Sequence, residues 1–175
     1  MGKIEIYVAA HKPIECTLPE HCKLIQVNAK ANGEWPGCLH DSDGQDNISS
    51  KNPNYCELTA LYSMWKNSKA DINGLFHYRR FLGGDLIGKL QTEAVVFEDV
   101  RNVQNAIIPE KTITDALEIS DVILQRPTMP YPLCAGEDLL RFVYQKDINN
   151  MIDVIEQDYP EYAQSFWPVM ESSNI

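Results

Sequence analysis

No apolar run in this 175-residue sequence approaches the roughly 18 to 20 residues that a membrane-spanning helix needs. The opening Met1–His11 lacks the apolar core of a signal peptide. Gly2 invites myristoylation, but Ile6 stands where that motif wants Ser or Thr. Cations are scarce: 15 Lys and Arg against 25 Asp and Glu give a formal net charge of -10. A broad nucleic-acid-binding face needs many cations to displace counterions, so that class is excluded. Any anion must be held by a local pocket. The five cysteines (Cys16, Cys22, Cys38, Cys56, Cys134) are odd in number and contain no C-x-x-C pair. That pattern speaks against zinc and against a disulfide framework, and for reduced thiols in a cytoplasmic protein. Neither G-x-G-x-x-G nor G-x-x-x-x-G-K-[ST] occurs, which counts against Rossmann dehydrogenases and P-loop NTPases. Repeats, low-complexity tracts and convincing linkers are also missing, so residues 1–175 read as a single domain.

What remains is an ordinary globular balance, 44% hydrophobic and 23% charged, enough for one core. Ile4–Ala9 is a β-rich run leading into His11-Lys12-Pro13, and Leu24–Val27 is a second strand candidate. Asn28 to Asn54 is rich in Gly, Asn, Asp, Ser and Pro, and a loop of that length is usually functional. Asn52-Pro53 opens a helix to Asn67, with Asn52 as cap and Pro53 at the first helical position. Along it Tyr55, Leu58, Leu61, Tyr62 and Trp65 share one face. A strand over Ile72–Tyr78 follows, then a turn at Gly83-Gly84. Ala94–Phe97 and Ala106–Ile108 read as short strands, Ile113–Glu118 as a helix and Asp121–Gln125 as a strand. Pro127, Pro130 and Pro132 enforce a loop. Three helices close the chain: one with Leu139, Leu140 and Val143, one with Ile148, Met151, Ile152 and Ile155, and one starting at Pro160. Strand, loop, helix, strand in that order suggests a parallel, helix-covered sheet.

His77-Tyr78-Arg79-Arg80 is the densest cationic cluster, at the carboxyl end of a predicted strand, where open α/β sheets bind ligands. Paired guanidiniums beside an imidazole suit a phosphorylated ligand, although solvated arginines on a surface strand end have the same composition. His11 also follows a strand and belongs to the same sheet edge. His40–Asn47 is crowded with oxygen ligands, but Gly44 falls fourth and Asn52 twelfth, so it is not an EF-hand. Asp41 and Asp43 form an Asp-x-Asp, a weak candidate for a divalent ion and a common loop pattern in its own right. A His77–Cys56 nucleophilic pair is conceivable, with Cys56 buried on its helix as the plainer alternative.

Several blocks together closely resemble the DUF4422 family of bacterial glycosyltransferases of capsule, exopolysaccharide and lipopolysaccharide synthesis. They are Ile6–Pro13, Ile25-Gln26-Val27, Asp46-Asn47-Ile48-Ser49, Lys51–Tyr62, Trp65-Lys66-Asn67, Gly74–Phe81, Asp121–Leu124 and Tyr159–Tyr162. Some members are assigned to galactofuranosyl transfer. The resemblance implies a GT-A-like, Rossmann-related fold with a mixed, mostly parallel sheet, Ile4–Ala9 and Ile72–Tyr78 being neighbouring core strands. It implies a UDP-sugar donor, a saccharide acceptor that can be lipid-linked, and a location in the cytoplasm or at the inner face of the membrane. Members of that family continue past the point where this chain stops, so the expected form lacks the portion that completes the acceptor side. The segment Gly83 to Asn105 matches poorly.

The implied nucleotide-sugar site draws on His11, Lys12, Asp46, Asn47, Tyr55, Glu57, His77, Tyr78, Arg79 and Arg80. His77, Arg79 and Arg80 are the candidates for catalysis. No cofactor is firmly predicted; manganese or magnesium would fall to Asp41 and Asp43. An arginine could instead pair structurally with Glu57 or Asp46. The alternative to a transferase is a non-catalytic sugar- or nucleotide-binding module, or a structural module of a polysaccharide-assembly complex.

Overall fold

The computed structural model describes residues 2–83, 100–124 and 134–171. It divides into two compact units, 1–123 and 124–175. The first is built on four strands: β1 (Ile4–Ala10), β2 (Cys22–Gln26), β3 (Leu39–His40) and β4 (Ile72–His77). All three pairings are parallel, in the order β3-β2-β1-β4. The chain thus steps outward from β1 through β2 to β3, then returns to the far side of β1 as β4. The expected adjacency of the first strand and the 72–77 strand is present, and the sheet is wholly parallel among the described residues.

β1 is central and every one of its residues is buried, as the near-continuous apolar run Ile-x-Ile-Tyr-Val-Ala-Ala requires of a strand covered on both faces. On one face Ile4, Ile6 and Val8 pack with Phe76, Ile107, Ile108 and Ile113, the last from helix α4 (Glu110–Leu117). On the other, Tyr7, Ala9, Ile25 and Val27 pack against Ala60 and Met64 of helix α3 (Leu58–Asn67). Glu5 is the one acid in the strand. Its carboxylate meets Lys23 and, at 2.7 Å, Lys3, and Ser68 adds a hydrogen bond at 3.1 Å. These donors hold its pKa down, from 4.5 to about 2.

Several boundaries differ from the sequence reading. The segment 28–54 is not one loop: it contains the single-turn helix α1 (Ala29–Asn32), β3 and a 3-10 turn over Ser49–Lys51. The predicted helix over 52–67 is broken in two, α2 (Asn52–Tyr55) and α3, at Cys56. Cys56 is exposed rather than buried, and all five cysteines are free thiols. The apolar stripe Tyr55, Leu58, Leu61, Trp65 would ordinarily face a core, yet these four are 40–68% exposed. The sheet side of α3 is instead Thr59, Ala60, Ser63 and Met64. Small residues let the helix sit close on the strands, and two of them are tied by hydrogen bonds to Asp41 and to the His40 carbonyl. That polar anchoring outweighs the pull of the larger stripe. Ala106–Ile108 makes only an isolated bridge, Gly83 with Ile107, and Asp121–Leu124 is not a strand. Ala94–Phe97, Gly84, Gln125 and the prolines at 127, 130 and 132 lie outside the described residues.

The second unit holds α5 (Ala135–Leu139), α6 (Gln145–Asp158) and α7 (Pro160–Glu171). The Glu137 carboxylate accepts the Cys134 N–H at 2.9 Å, fixing the start of α5. Leu140 and Val143 fall in the turn after α5 rather than within it. α6 ends at Tyr159 because a residue before proline is pushed out of helical geometry, and Pro160 then starts α7 as predicted.

Candidate functional site

The strand order sets the location. A parallel sheet that grows one way from β1 and then the other has its switch point between the carboxyl ends of β1 and β4, the place where such sheets bind ligands. Ala9 lies opposite His77, and the Tyr78 N–H donates to the Ala9 carbonyl at 3.0 Å. Both chains therefore leave the sheet at one level, and His11-Lys12 after β1 meets Tyr78-Arg79-Arg80 after β4.

Tyr78 is the hub of this meeting. Its side chain is buried, with the His11 ring edge-on at 5.0 Å and the His77 ring at 4.5 Å between centroids. The Arg79 guanidinium stands 5.0 Å and the Lys12 ammonium 5.6 Å from the same ring centroid. Cation–π attraction over a buried ring orients both charges before any ligand arrives. A tight turn follows, the Arg80 N–H donating to the His77 carbonyl at 2.8 Å, and it leaves Arg79 and Arg80 exposed. Tyr78 thus organises the cluster and has no free face to stack on a base.

Glu57 brings a carboxylate to the cations. Its Oε1 lies 3.4 Å from His77 Nε2. Burial pushes the His77 pKa down, Glu57 pulls against that, and Arg79, Arg80 and His11 lower it further. The net direction is down, which favours the neutral ring.

The reach of Glu57 depends on the break between α2 and α3. Cys56 has φ 46° and ψ -128°, a conformation that costs a non-glycine residue about 1–3 kcal/mol. Asn52 Nδ2 holds the break, donating to the Cys56 carbonyl at 2.7 Å and to Thr59 Oγ1 at 3.0 Å. Thr59 in turn donates to Asp41 at 2.6 Å. Asn52 therefore staples a helix junction rather than capping a helix start.

Asp41 is fully buried at the end of β3. Oδ1 accepts from the Ala29 N–H at 3.1 Å and Ser49 Oγ at 2.5 Å; Oδ2 accepts from the Asn28 N–H at 2.8 Å and Thr59 Oγ1. A carboxylate offers about four lone-pair sites, and all are taken. Asp43 accepts the His40 N–H at 2.8 Å and faces its ring. The Asp-x-Asp pair does not fit a divalent cation: it fastens β2, β3 and α3 to one another. Among the described residues no group of three or more metal-ligating side chains forms elsewhere.

Of the residues expected at the site, His11, Lys12, Glu57, His77, Tyr78, Arg79 and Arg80 come together. Asp46, Asn47 and Tyr55 do not. Asp46 binds Lys66 at 2.8 Å and the Tyr62 hydroxyl at 2.7 Å, toward the far end of α3. Lys66 is nine residues from Glu57, roughly 13 Å along a helix axis. Asn47 closes its own loop onto the Ser42 and Gly44 carbonyls. Tyr55 points into an open groove of about 680 Å³ on the outer face of α3, beside Leu58 and Trp65. Sequence reasoning missed the Glu57–His77 pairing and the hub role of Asp41. Glu57 was among the residues implied at the site, without this partner, and Asp41 stood out only as half of an Asp-x-Asp in a loop.

The chain belongs to the DUF4422 family, a domain of unknown function, whose profile matches residues 5–175 across both units. Its fold is similar to that of a solved bifunctional glycosyltransferase, WbbM, in its apo form, at 27% identity and a TM-score of 0.76. That match covers 99% of this chain and 32% of the other, so this chain spans about a third of that enzyme's length. No curated protein matches. The architecture is accordingly the GT-A-like, Rossmann-related α/β arrangement.

Proposed function

We propose that the chain is the donor-binding part of a glycosyltransferase, acting on a nucleoside-diphosphate sugar. The observation that carries this reading is the convergence of His11, Lys12 and Arg79 on the buried Tyr78 ring at the β1/β4 switch point, with Arg80 next along the same turn and close enough to act on His77. Departure of a diphosphate leaves negative charge that a preorganised cationic site stabilises without reorganising. A cluster of cations in a protein of net charge -10 is a local device for an anion. The likeness to a bifunctional glycosyltransferase supports sugar transfer over other diphosphate chemistry. Within that reading the donor is a UDP-hexose, UDP-galactofuranose being the first to test, and the acceptor is a growing surface polysaccharide, lipid-linked at the inner face of the membrane. No helix of the described residues is long and apolar enough to cross a membrane.

The diphosphate is held by arginines in this reading rather than by an ion bound at Asp41 and Asp43. Calorimetric UDP binding should survive EDTA and be lost in Arg79→Ala and Arg80→Ala. Arg79→Lys should weaken it, because an ammonium keeps the charge and loses the bidentate fork. Binding that collapses with chelator while both alanine variants bind normally would reverse the assignment. UDP binding without sugar transfer to any acceptor would favour a non-catalytic binding module instead.

A further inference from the structure

The atoms around His77 decide which group can take a proton. The Arg79 N–H donates to His77 Nδ1 at 3.2 Å. A ring nitrogen that accepts a hydrogen bond carries no proton, so the neutral ring holds its proton on Nε2. Nε2 is the nitrogen that faces Glu57 Oε1 at 3.4 Å. The one basic lone pair of the ring is therefore occupied by the backbone, and the nitrogen that keeps the proton is the one within ion-pair distance of a carboxylate. The charged and titratable groups facing His77 divide. Arg79, Arg80 and His11 oppose an imidazolium, Glu57 favours one, and burial tips the balance to neutral. His77 is then a donor and not a base.

Glu57 has the opposite character. Its side chain is 40% exposed, and it is the carboxylate the described residues bring to the cationic crevice, Asp41 being buried and saturated. The strained Cys56 backbone and the Asn52 staple turn it there, off the regular course of the helix. Strain kept at one residue before a polar group in a ligand crevice is a mark of a positioned functional group.

We infer that Glu57 is the proton acceptor of the transfer reaction and that His77 is its positioning residue. The inference rests on the glycosyl-transfer reading above. In the step, the acceptor hydroxyl gives its proton to Glu57 as its oxygen forms a bond to the anomeric carbon. The bond from that carbon to the diphosphate oxygen breaks, and its electron pair leaves with the diphosphate beside Arg79 and Arg80. One displacement of this kind inverts the anomeric configuration.

The test combines UDP calorimetry, UDP-sugar turnover against pH, and nitrogen NMR of the His77 ring. Glu57→Gln should bind UDP within about twofold of the parent protein yet lose at least 100-fold in kcat and the acid limb of the profile. His77→Gln, whose amide can still donate toward Glu57, should keep more turnover than His77→Ala. The NMR spectrum at pH 7 should show the neutral Nε2–H tautomer. Full turnover in Glu57→Gln, a retained anomeric configuration, or an Nδ1–H or doubly protonated ring would each overturn the inference while leaving diphosphate binding intact. Absence of UDP binding in the parent protein would instead defeat the proposed function, and binding without turnover would defeat both assignments of catalysis.

Discussion

Asp41→Asn is the substitution whose cost can be worked most directly from the geometry. Each carboxylate oxygen of Asp41 accepts one backbone N–H and one hydroxyl. The asparagine amide supplies an oxygen on one side only. On the other side its NH₂ confronts a hydroxyl, which can rotate and accept, and a peptide N–H, which cannot. One buried donor is then orphaned, costing about 1–3 kcal/mol, and the remaining bonds lose their charge assistance. The expected loss is about 2–4 kcal/mol, read as a lower urea midpoint with unchanged slope by far-UV circular dichroism. Thr59→Val should cost about 1–2 kcal/mol, and the double variant less than the sum, because the two share a bond. The junction that carries Glu57 hangs on the same network, so kcat should fall more than UDP affinity in either variant. A loss below about 0.5 kcal/mol in Asp41→Asn, or strictly additive costs, would refute the account of Asp41 as a saturated buried hub.

Three other outcomes follow from particular contacts. Glu5 titrates at about 2 when folded against 4.5 unperturbed, because Lys23 and Lys3 donate to it, so its stabilising effect is complete above about pH 4.5 and is lost as pH falls toward 2. The difference is worth on the order of 3 kcal/mol, and Glu5→Gln should lower stability at pH 7 and flatten the acid side of the stability–pH curve; an unchanged acid slope would sink this. Tyr78→Phe should leave UDP binding close to normal, since the ring carries the contacts, whereas Tyr78→Ala should cost about 3–5 kcal/mol of stability and weaken UDP binding by calorimetry. Cys56→Gly should raise the melting temperature by relieving the positive φ, an effect of about 1 kcal/mol, and Cys56→Val should lower it; the reverse order would mean that the break is not strained.

The parts of this molecule that were legible in the sequence are those written in periodicity and punctuation. β1 and β4 are recognisable because each is a β-rich run flanked by polar residues, and their adjacency follows the strand–helix–strand order. The cationic turn after β4 is a contiguous motif, so its place at a strand end was readable without coordinates. Other features depend on contacts that no local pattern records. β3 is two residues long and earns its place by pairing with β2 and presenting Asp41. The helix break at Cys56 is invisible to propensity, since neither neighbour is a breaker, and it is stabilised by Asn52 and Thr59 from either side. The orientation of α3 was misleading for the same reason: the larger residues form the more obvious stripe, whereas the smaller ones carry the hydrogen bonds to the sheet edge.

Those nonlocal contacts also divide the site into two kinds of parts with different tolerance to change. Lys12 and Arg79 are placed by one buried ring, so any substitution that keeps the ring keeps their geometry. Glu57 is placed by a chain of hydrogen bonds running from Asp41 through Thr59 and Asn52 to the Cys56 carbonyl, and each link needs its own partner. Anion binding should therefore withstand conservative changes around the sheet, while positioning of the carboxylate should fail at any link. A variant such as Thr59→Val that binds UDP normally but loses turnover would locate the fragility in the helix junction. Equal losses of binding and turnover across Asp41, Asn52 and Thr59 variants would instead mean that the crevice folds as one piece and that the two sets of contacts are not separable.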